Sequence, residues 1–426
     1  MNEERKIIVY VTREIERALG MPPNANYLIV SNKTPYGESI KQQYPDFVTL
    51  IDSGKNDLLG TADLLGHTIT QSLISNLRSS DVTSEQYKTS NTPCILVFKN
   101  TLRVESAATA SGLQILNPKS FLAERVENKL SQVRWLGNIG VKYLPTHTAK
   151  IAKLITWKND PFIIQWAHGH TGEGTILIKT REDLAVLQEK FPERMARLST
   201  YISGPSFTVN AVVSKDRILM GNISYQITGM TPFTDNEFST VGNDWNAARK
   251  LLSNNDIKSV QDMVRDIGTK LQFEGWRGLF GVDVIRDEKN KRMFLIEVNA
   301  RQPASTTFES FLQEEMRKSG ARGITTFEAH TRSLLELPID QDIIEIHDGA
   351  QIVQRVTKGI QGIFDDVVIP LEKSGYKVIS YQNSAPNSDL LRVQSTIGII
   401  EEHGVFNTKG KEITEAIKSS RINIQV

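Results

Sequence analysis

The sequence holds one cysteine in 426 residues, Cys94, set in the apolar run Cys-Ile-Leu-Val-Phe. No disulfide can form within the chain, and a small buried thiol in a reducing compartment is the expected state. Charge of either sign is not in excess: 50 Lys and Arg stand against 49 Asp and Glu, a formal net charge of +1. That balance removes the global electrostatic case for nucleic acid or an anionic membrane, and leaves only local basic grooves. Long hydrophobic runs are missing too. Spanning a bilayer takes about 20 apolar residues, and no stretch approaches that. The opening Met1-Asn-Glu-Glu-Arg-Lys6 precedes only a short apolar run before Thr12 and Arg13, which does not read as a signal peptide. A cytoplasmic protein with no nucleic-acid or membrane partner is the expectation. No Gly-x-Gly-x-x-Gly follows the run Tyr27-Leu-Ile-Val30. Val30-Ser-Asn-Lys-Thr-Pro35 stands there instead, so the fingerprint of a Rossmann dehydrogenase is absent.

What is present is length and apolar content enough for two to four domains. Residues 1–120 alternate buried-strand runs at 27–30, 47–51 and 95–98, and a weaker one at 113–116, with polar helical segments at 58–76 and 102–111. Alternation of this kind predicts an α/β domain with a parallel sheet. A helix N-capped by Ser120 is expected to run through Lys129 towards residue 136, followed by a turn at 137–140 and an extended segment to Thr146. A further helix, a strand at 161–166 and a strand at 176–179 come next. Residues 121–342 read as the main unit, with a subdomain at about 147–203, and residues 343–426 as a small α+β appendage. That tail is expected to hold strands at 350–357, 367–369, 376–380, 391–393 and 398–401 and a helix at 409–419, with no catalytic constellation.

The chemistry-bearing stretch is Phe280-Gly-Val-Asp283-Val-Ile-Arg-Asp-Glu-Lys-Asn-Lys-Arg-Met-Phe-Leu-Ile-Glu297-Val-Asn299-Ala-Arg301. Two apolar runs flank a polar group at 286–292, which predicts an antiparallel hairpin. Asp283 and Glu297 interrupt those runs, and a buried charge is costly unless paired or bound to a cation. Asn299 follows Glu297 by two and shares its face, as does Arg301 one step on. Oxygen-only ligands suit a hard cation, and Mg²⁺ is commonly held by one or two carboxylates plus substrate phosphates. The plainer reading is a hairpin with its acids on a solvated face.

A second signal is Ala167-His168-Gly169-His170-Thr171-Gly172-Glu173-Gly174-Thr175, between two strand-like runs. Glycines let backbone N–H groups approach phosphate oxygens, although a plain glycine-rich turn has the same look. His168 and His170 read as phosphate contacts, catalytic acids or solvated loop residues. Gln226, Thr228, Asn243 and Asp244 fall in a polar stretch, 224–245, read as a loop over an acceptor substrate. Ser305 and Thr306 open a helix, where a substrate carboxylate or an ordinary N-cap fits equally. Trp135, Trp166 and Trp245 read as packing.

In this order the parts resemble the ATP-grasp superfamily: an α/β pre-domain, a helix bearing Lys129, a strand, a glycine-rich hairpin, a Tyr201-Ile-x-Gly204 linker and an Asp283…Glu297-x-Asn299-x-Arg301 hairpin. The likeness covers roughly residues 20–320. The tail, with Arg392-Val-Gln-Ser-Thr-Ile-Gly398-Ile-Ile, looks most like that of the amino-acid and peptide ligase group. The resemblance implies an ATP-dependent carboxylate–amine ligase that makes an amide through an acyl phosphate, releasing ADP and phosphate. It implies ATP and two Mg²⁺ as cofactors, a small-molecule carboxylate and amine as partners, and a homodimer. Asp283, Glu297 and Asn299 match the metal ligands, and Arg301 matches the residue that steadies the acyl phosphate or the oxyanion. Lys129 matches a phosphate-contacting lysine. His168, Gly169, His170, Thr171, Gly172, Glu173, Gly174 and Thr175 match the lid loop, and Ser199, Thr200, Tyr201 and Ile202 the linker at the adenine edge. Two positions depart from the pattern: Gln165 stands where many members have Lys, and Ser206 where many place Glu on the ribose. Rival readings are a carboxylase-like enzyme, a nucleotide-precursor synthetase and a nucleotide-binding protein without turnover. No Met-Lys-Met biotin-carrier sequence supports the first.

Overall fold

The computed structural model describes residues 6–54, 58–79, 93–167, 174–362, 365–381 and 383–419. Among the described residues three sheets of four or more strands follow one another along the chain, and a two-stranded pair, Ile400–Glu402 with Val405–Phe406, lies in the tail. The first is parallel, with strands β1 (Ile8–Thr12), β2 (Tyr27–Asn32), β3 (Val48–Ile51), β4 (Cys94–Val97) and β5 (Gln114–Ile115) in the order β3-β2-β1-β4-β5. Every residue of β1, β2 and β4 is buried, as continuous apolar runs covered on both faces must be. β1 is the central strand, and the sequence reading passed over it as a run too short for a signal peptide. Cys94 lies buried as a thiol in no disulfide, and burial pushes its pKa up.

The second sheet is antiparallel: β6 (His147–Ile151), β7 (Phe162–Trp166), β8 (Thr175–Ile178) and β9 (Met195–Thr200), in the order β6-β9-β7-β8. The helix Arg181–Lys190 packs on it, started by a capping box between Thr180 and Asp183. The helix expected after Thr146 is instead the edge strand β6, paired with β9 and exposed over residues 148–150, followed by a 3-10 turn, Ala152–Leu154.

The third sheet has eight antiparallel strands: β10 (Ser206–Val213), β11 (Ile218–Thr228), β12 (Thr240–Asp244), β13 (Gly278–Arg286), β14 (Met293–Asn299), β15 (Ala350–Arg355), β16 (Lys377–Ser380) and β17 (Asp389–Ser395). Their order is β14-β13-β10-β11-β12-β15-β17-β16. The helix Asn254–Phe273 lays Val260, Met263, Val264, Ile267 and Leu271 against it, the spacing of one helical face. The same apolar core takes in Val282 and Leu295 at one end and Leu391 and Val393 at the other. The residues read as an appendage thus add three strands to the sheet that holds the acidic hairpin.

Several local expectations change. The helix expected from Ser120 is two, Ser120–Glu127 and Lys129–Leu136, because Asn128 leaves the helical conformation and its side chain caps the second by accepting from the N–H groups of Leu130 and Ser131. Lys119, not Ser120, is the N-cap residue of the first. The turn at 137–140 is a short helix, Asn138–Tyr143, and the 367–369 run belongs to the helix Asp365–Lys373. The polar stretch 224–245 is strand at 224–228 and 240–244 around a loop at 229–239, so Gln226 and Asn243 are ladder partners rather than loop residues. Among the described residues no helix is long and apolar enough to cross a membrane.

Candidate functional site

A cavity of about 410 Å³ opens where the three sheets meet. The acidic hairpin forms its floor. Asp283 and Glu297 are direct cross-strand partners on β13 and β14, and Gly281 faces Asn299. Facing residues put their side chains on one side of a ladder, so the two carboxylates and the amide share a surface. Asp283 accepts through Oδ1 from Thr208 Oγ1 at 2.5 Å and Gln226 Nε2 at 3.0 Å, and through Oδ2 from Asn299 Nδ2 at 2.9 Å. Glu297 forms an ion pair with Lys129, the first residue of the helix that Asn128 caps. The break in the expected long helix is what aims Lys129 at this carboxylate.

Burial and the nearby charge of Glu297 push the Asp283 carboxyl up to about 7. Burial also works on Glu297, but Lys129 and Arg301 outweigh it and hold that carboxyl down at about 2. One acid is therefore neutralised by fixed cations and the other is not, which is an environment a divalent cation would relieve. No group of three or more His, Cys, Asp or Glu converges among the described residues. Two carboxylates and one amide oxygen do not cage an ion alone, but Mg²⁺ takes its remaining ligands from phosphates and water.

Arg301 is fixed from behind by Glu127, the last residue of the helix Ser120–Glu127, which also pairs with Lys99. Burial would raise the Glu127 pKa, yet Arg301 and Lys99 keep it lowered. Burial likewise disfavours a charged Arg301, but Glu127, Glu297 and Asp283 raise its pKa. The head of this side chain is thus held charged and oriented. Glu127 was missed in the sequence because it is one acid among several on a polar helix.

Of the other expected residues, Gln165, Gly174, Thr175, Ser199, Thr200, Tyr201, Ile202, Ser206, Gln226 and Ser305 line the same cavity. Gln165 donates to Thr175 Oγ1 at 3.3 Å. The hydroxyl of Ser305 pairs with Asn210 and does not cap the helix Thr306–Lys318. Thr306 is fully buried and does not line the cavity, because the helix turns its side chain into the core. His168, Gly169, His170, Thr171, Gly172 and Glu173 lie outside the described residues.

The cavity also has walls the sequence did not announce. From the tail come Gln351, Arg355, Asp389 and Arg392, from the first domain Arg17, and from the second sheet Arg197. Arg355 Nη1 and Arg392 Nη2 share Asp389, at 2.8 and 3.2 Å, and Arg392 Nη1 donates to Gln351 at 3.2 Å. Arg392 Nε donates to Tyr381 Oη at 3.0 Å, whose hydroxyl donates to Glu16 of the first domain at 2.6 Å. The period-two pattern Gln351, Val353, Arg355 was the available signal, since all three line the cavity.

Known proteins agree with this geometry. A family model described as an ATP-grasp domain matches residues 126–305. No curated protein matches the chain in sequence. Among solved structures, N5-carboxyaminoimidazole synthase from Aspergillus clavatus, in complex with ADP and 5-aminoimidazole ribonucleotide, is 15% identical, with a TM-score of 0.62 over 97% of this chain and 99% of that one. L-amino acid ligase from Bacillus licheniformis is 12% identical, with a TM-score of 0.62 over 98% of each chain. N5-carboxyaminoimidazole synthetase from Staphylococcus aureus, complexed with ADP, gives 11% and 0.61 over 97% and 96%. Residues 126–305 thus match an ATP-grasp domain, and the chain as a whole shares the fold of these solved structures.

Proposed function

We propose that the protein is an ATP-dependent ligase that joins a small-molecule carboxylate to an amine, releasing ADP and phosphate. One observation carries the reading: Asp283, Glu297 and Asn299 share one face of a hairpin, with Lys129 and Arg301 charged beside them, on the floor of one cavity. A binding module has little use for two partly buried, adjacent acids and a braced guanidinium together.

Tyr201, Ile202 and the apolar Ile163, Leu295 and Ile296 offer the adenine a dry slot under the second sheet. Asp283, Glu297 and Asn299 would hold Mg²⁺, which supplies positive charge to the β- and γ-phosphate oxygens during transfer. Lys129, paired with Glu297 on the same floor, would lie within the cavity beside the phosphates. A carboxylate oxygen of the substrate attacks the γ-phosphorus, the bond to the β-phosphate oxygen breaks, and ADP and an acyl phosphate result. The amine nitrogen then adds to the acyl carbon, phosphate departs, and the nitrogen loses a proton to give the amide. Arg301, immobilised by Glu127, faces the oxygen on which negative charge gathers during that addition. Arg355 and Arg392, which flank Asp389 at the far end of the cavity, would face a substrate anion there.

The test is ATP turnover with hydroxylamine as the trapping amine, over a panel of amino acids, other small carboxylates and bicarbonate. ADP release that depends on the carboxylate, with a hydroxamate formed, is the expected result. ADP release with bicarbonate alone would move the chemistry to the carboxylase-like reading. No ADP release with any member of the panel would remove the ligase reading altogether.

A further inference from the structure

Arg197 is a cation in the wrong place for a structural role. It sits on β9, the strand between β6 and β7, and is only 2% exposed. Its Nε and Nη1 are both buried without a hydrogen-bond partner, and among the described residues no carboxylate forms an ion pair with it. Burial pulls its pKa down to about 10 despite the charge of Glu297 nearby. A guanidinium taken out of water with nothing to donate to is costly, and such groups are retained where a ligand completes them.

The position of Arg197 says what the ligand is. It faces Gln165 directly across the β7–β9 ladder, and both side chains line the cavity beside Lys129 and Thr175. The other donors there are engaged: Gln165 with Thr175, Lys129 with Glu297. Gln165 itself carries no charge. Among the described residues, Arg197 therefore supplies an unengaged positive charge on the second-sheet side of the cavity, opposite the acidic floor. Its planar fork suits two oxygens of a phosphate, which a neutral amide or a point-charge ammonium matches less well.

We propose that Arg197 is the nucleotide-phosphate ligand of the lid sheet, gripping the α- and β-phosphate oxygens from the strand next to Gln165. This rests on the nucleotide reading of the cavity. It accounts for a neutral Gln165, because the charge has moved one strand over on the same face. It also explains why two guanidinium nitrogens are left open until a phosphate arrives.

The experiment is calorimetric titration of the full chain with ADP, ATP and adenosine, each with Mg²⁺, alongside thermal melting without ligand. Arg197→Met should weaken ADP and ATP about 10- to 100-fold, the range for hydrogen bonds to a charged group, and leave adenosine unchanged. Because the free guanidinium lacks a partner, the variant should melt no lower than the parent. Arg197→Lys keeps charge but not the fork and should fall between the two. Adding Gln165→Lys to Arg197→Met should recover part of the loss. Equal ADP affinity in parent and Arg197→Met, or a lower melting temperature with equal loss of adenosine, overturns the assignment and makes Arg197 structural. Should Arg197→Met not fold, Arg197→Lys binding ADP as tightly as the parent overturns it as well. A parent chain that binds no nucleotide at all overturns the nucleotide reading itself, and this proposal with it.

Discussion

The two ends of the cavity are built from the same kind of object and carry opposite charge. At one end the ladder β13–β14 presents Asp283, Glu297 and Asn299; at the other, β15–β17 presents Gln351, Arg355 and Arg392 with Asp389 shared between the arginines. Both are antiparallel pairs in one sheet, separated by β10, β11 and β12. The acidic end has fewer fixed cations than its carboxylates would take, as the raised Asp283 shows. The basic end sets Arg355 and Arg392 around Asp389. A molecule lying along the sheet would meet a cation-seeking surface first and an anion-seeking one last. Magnesium-loaded phosphate followed by a carboxylate has that order of charge.

The largest expected effect comes from breaking the acidic end. Glu297→Gln removes the carboxylate that Lys129 neutralises and should cut kcat by about a thousandfold or more, a loss of several kcal/mol in charge stabilisation. ADP release measured with saturating Mg²⁺ checks it; turnover within tenfold of the parent would mean that Glu297 is only an ion-pair partner. Chelating Mg²⁺ from the parent should have the same result. Next in size is Arg301→Met, for which about 10²- to 10³-fold in kcat is expected, by analogy with losing one donor to a developing oxyanion. Substrate KM should move little, since the contact is made in the transition state. At the basic end, Arg392→Met should do the reverse, raising the KM for the carboxylate by about tenfold with a smaller change in kcat. If both variants altered KM alone, the contrast between the ends would collapse into a single binding surface.

The two ends also differ in how much of them the sequence disclosed, and topology is the reason. β13 and β14 are joined by a short turn, so the spacing of Asp283, Glu297 and Asn299 states their juxtaposition directly. β15 and β17 are separated by the helix Asp365–Lys373 and by β16, and nothing local says that Arg355 will meet Asp389. The same holds for Glu127 behind Arg301 and for Arg197 opposite Gln165, which are contacts between elements far apart in the chain. The parallel domain was legible from its apolar runs, except for β1, whose position at the centre of the sheet no run reveals. Local patterning also failed at 367–369, where Val-Val-Ile reads as strand but the flanking residues give it a helical face that packs on the core.

A third acid sharpens what makes the acidic end acidic. Glu309 is fully buried behind β10 and β11, deeper than the partly exposed Glu297, and its partners are neutral: the backbone N–H of Asn222 at 2.7 Å and the amides of Asn222 and Asn210. Burial outweighs those donors and raises its pKa to about 7, while Glu297, with Lys129 and Arg301, sits at about 2. The fixed cations Lys129 and Arg301 keep the hairpin acid ionised, and its partial exposure helps. The consequence for stability has a definite sign. The folded chain holds a proton on Glu309 that the unfolded chain loses above its ordinary value of 4.5. The stabilisation is therefore complete below that value and is lost as pH rises through about 7. Glu309→Gln deletes this dependence. The stability of the parent relative to the variant should fall by up to about 1.4 kcal/mol per pH unit across that window, read by urea unfolding at closely spaced pH values. A difference that stays flat would mean Glu309 is ionised in the folded chain, so that neutral donors alone can keep a buried carboxylate charged here, and the cations around Glu297 would no longer be what sets the two acids apart.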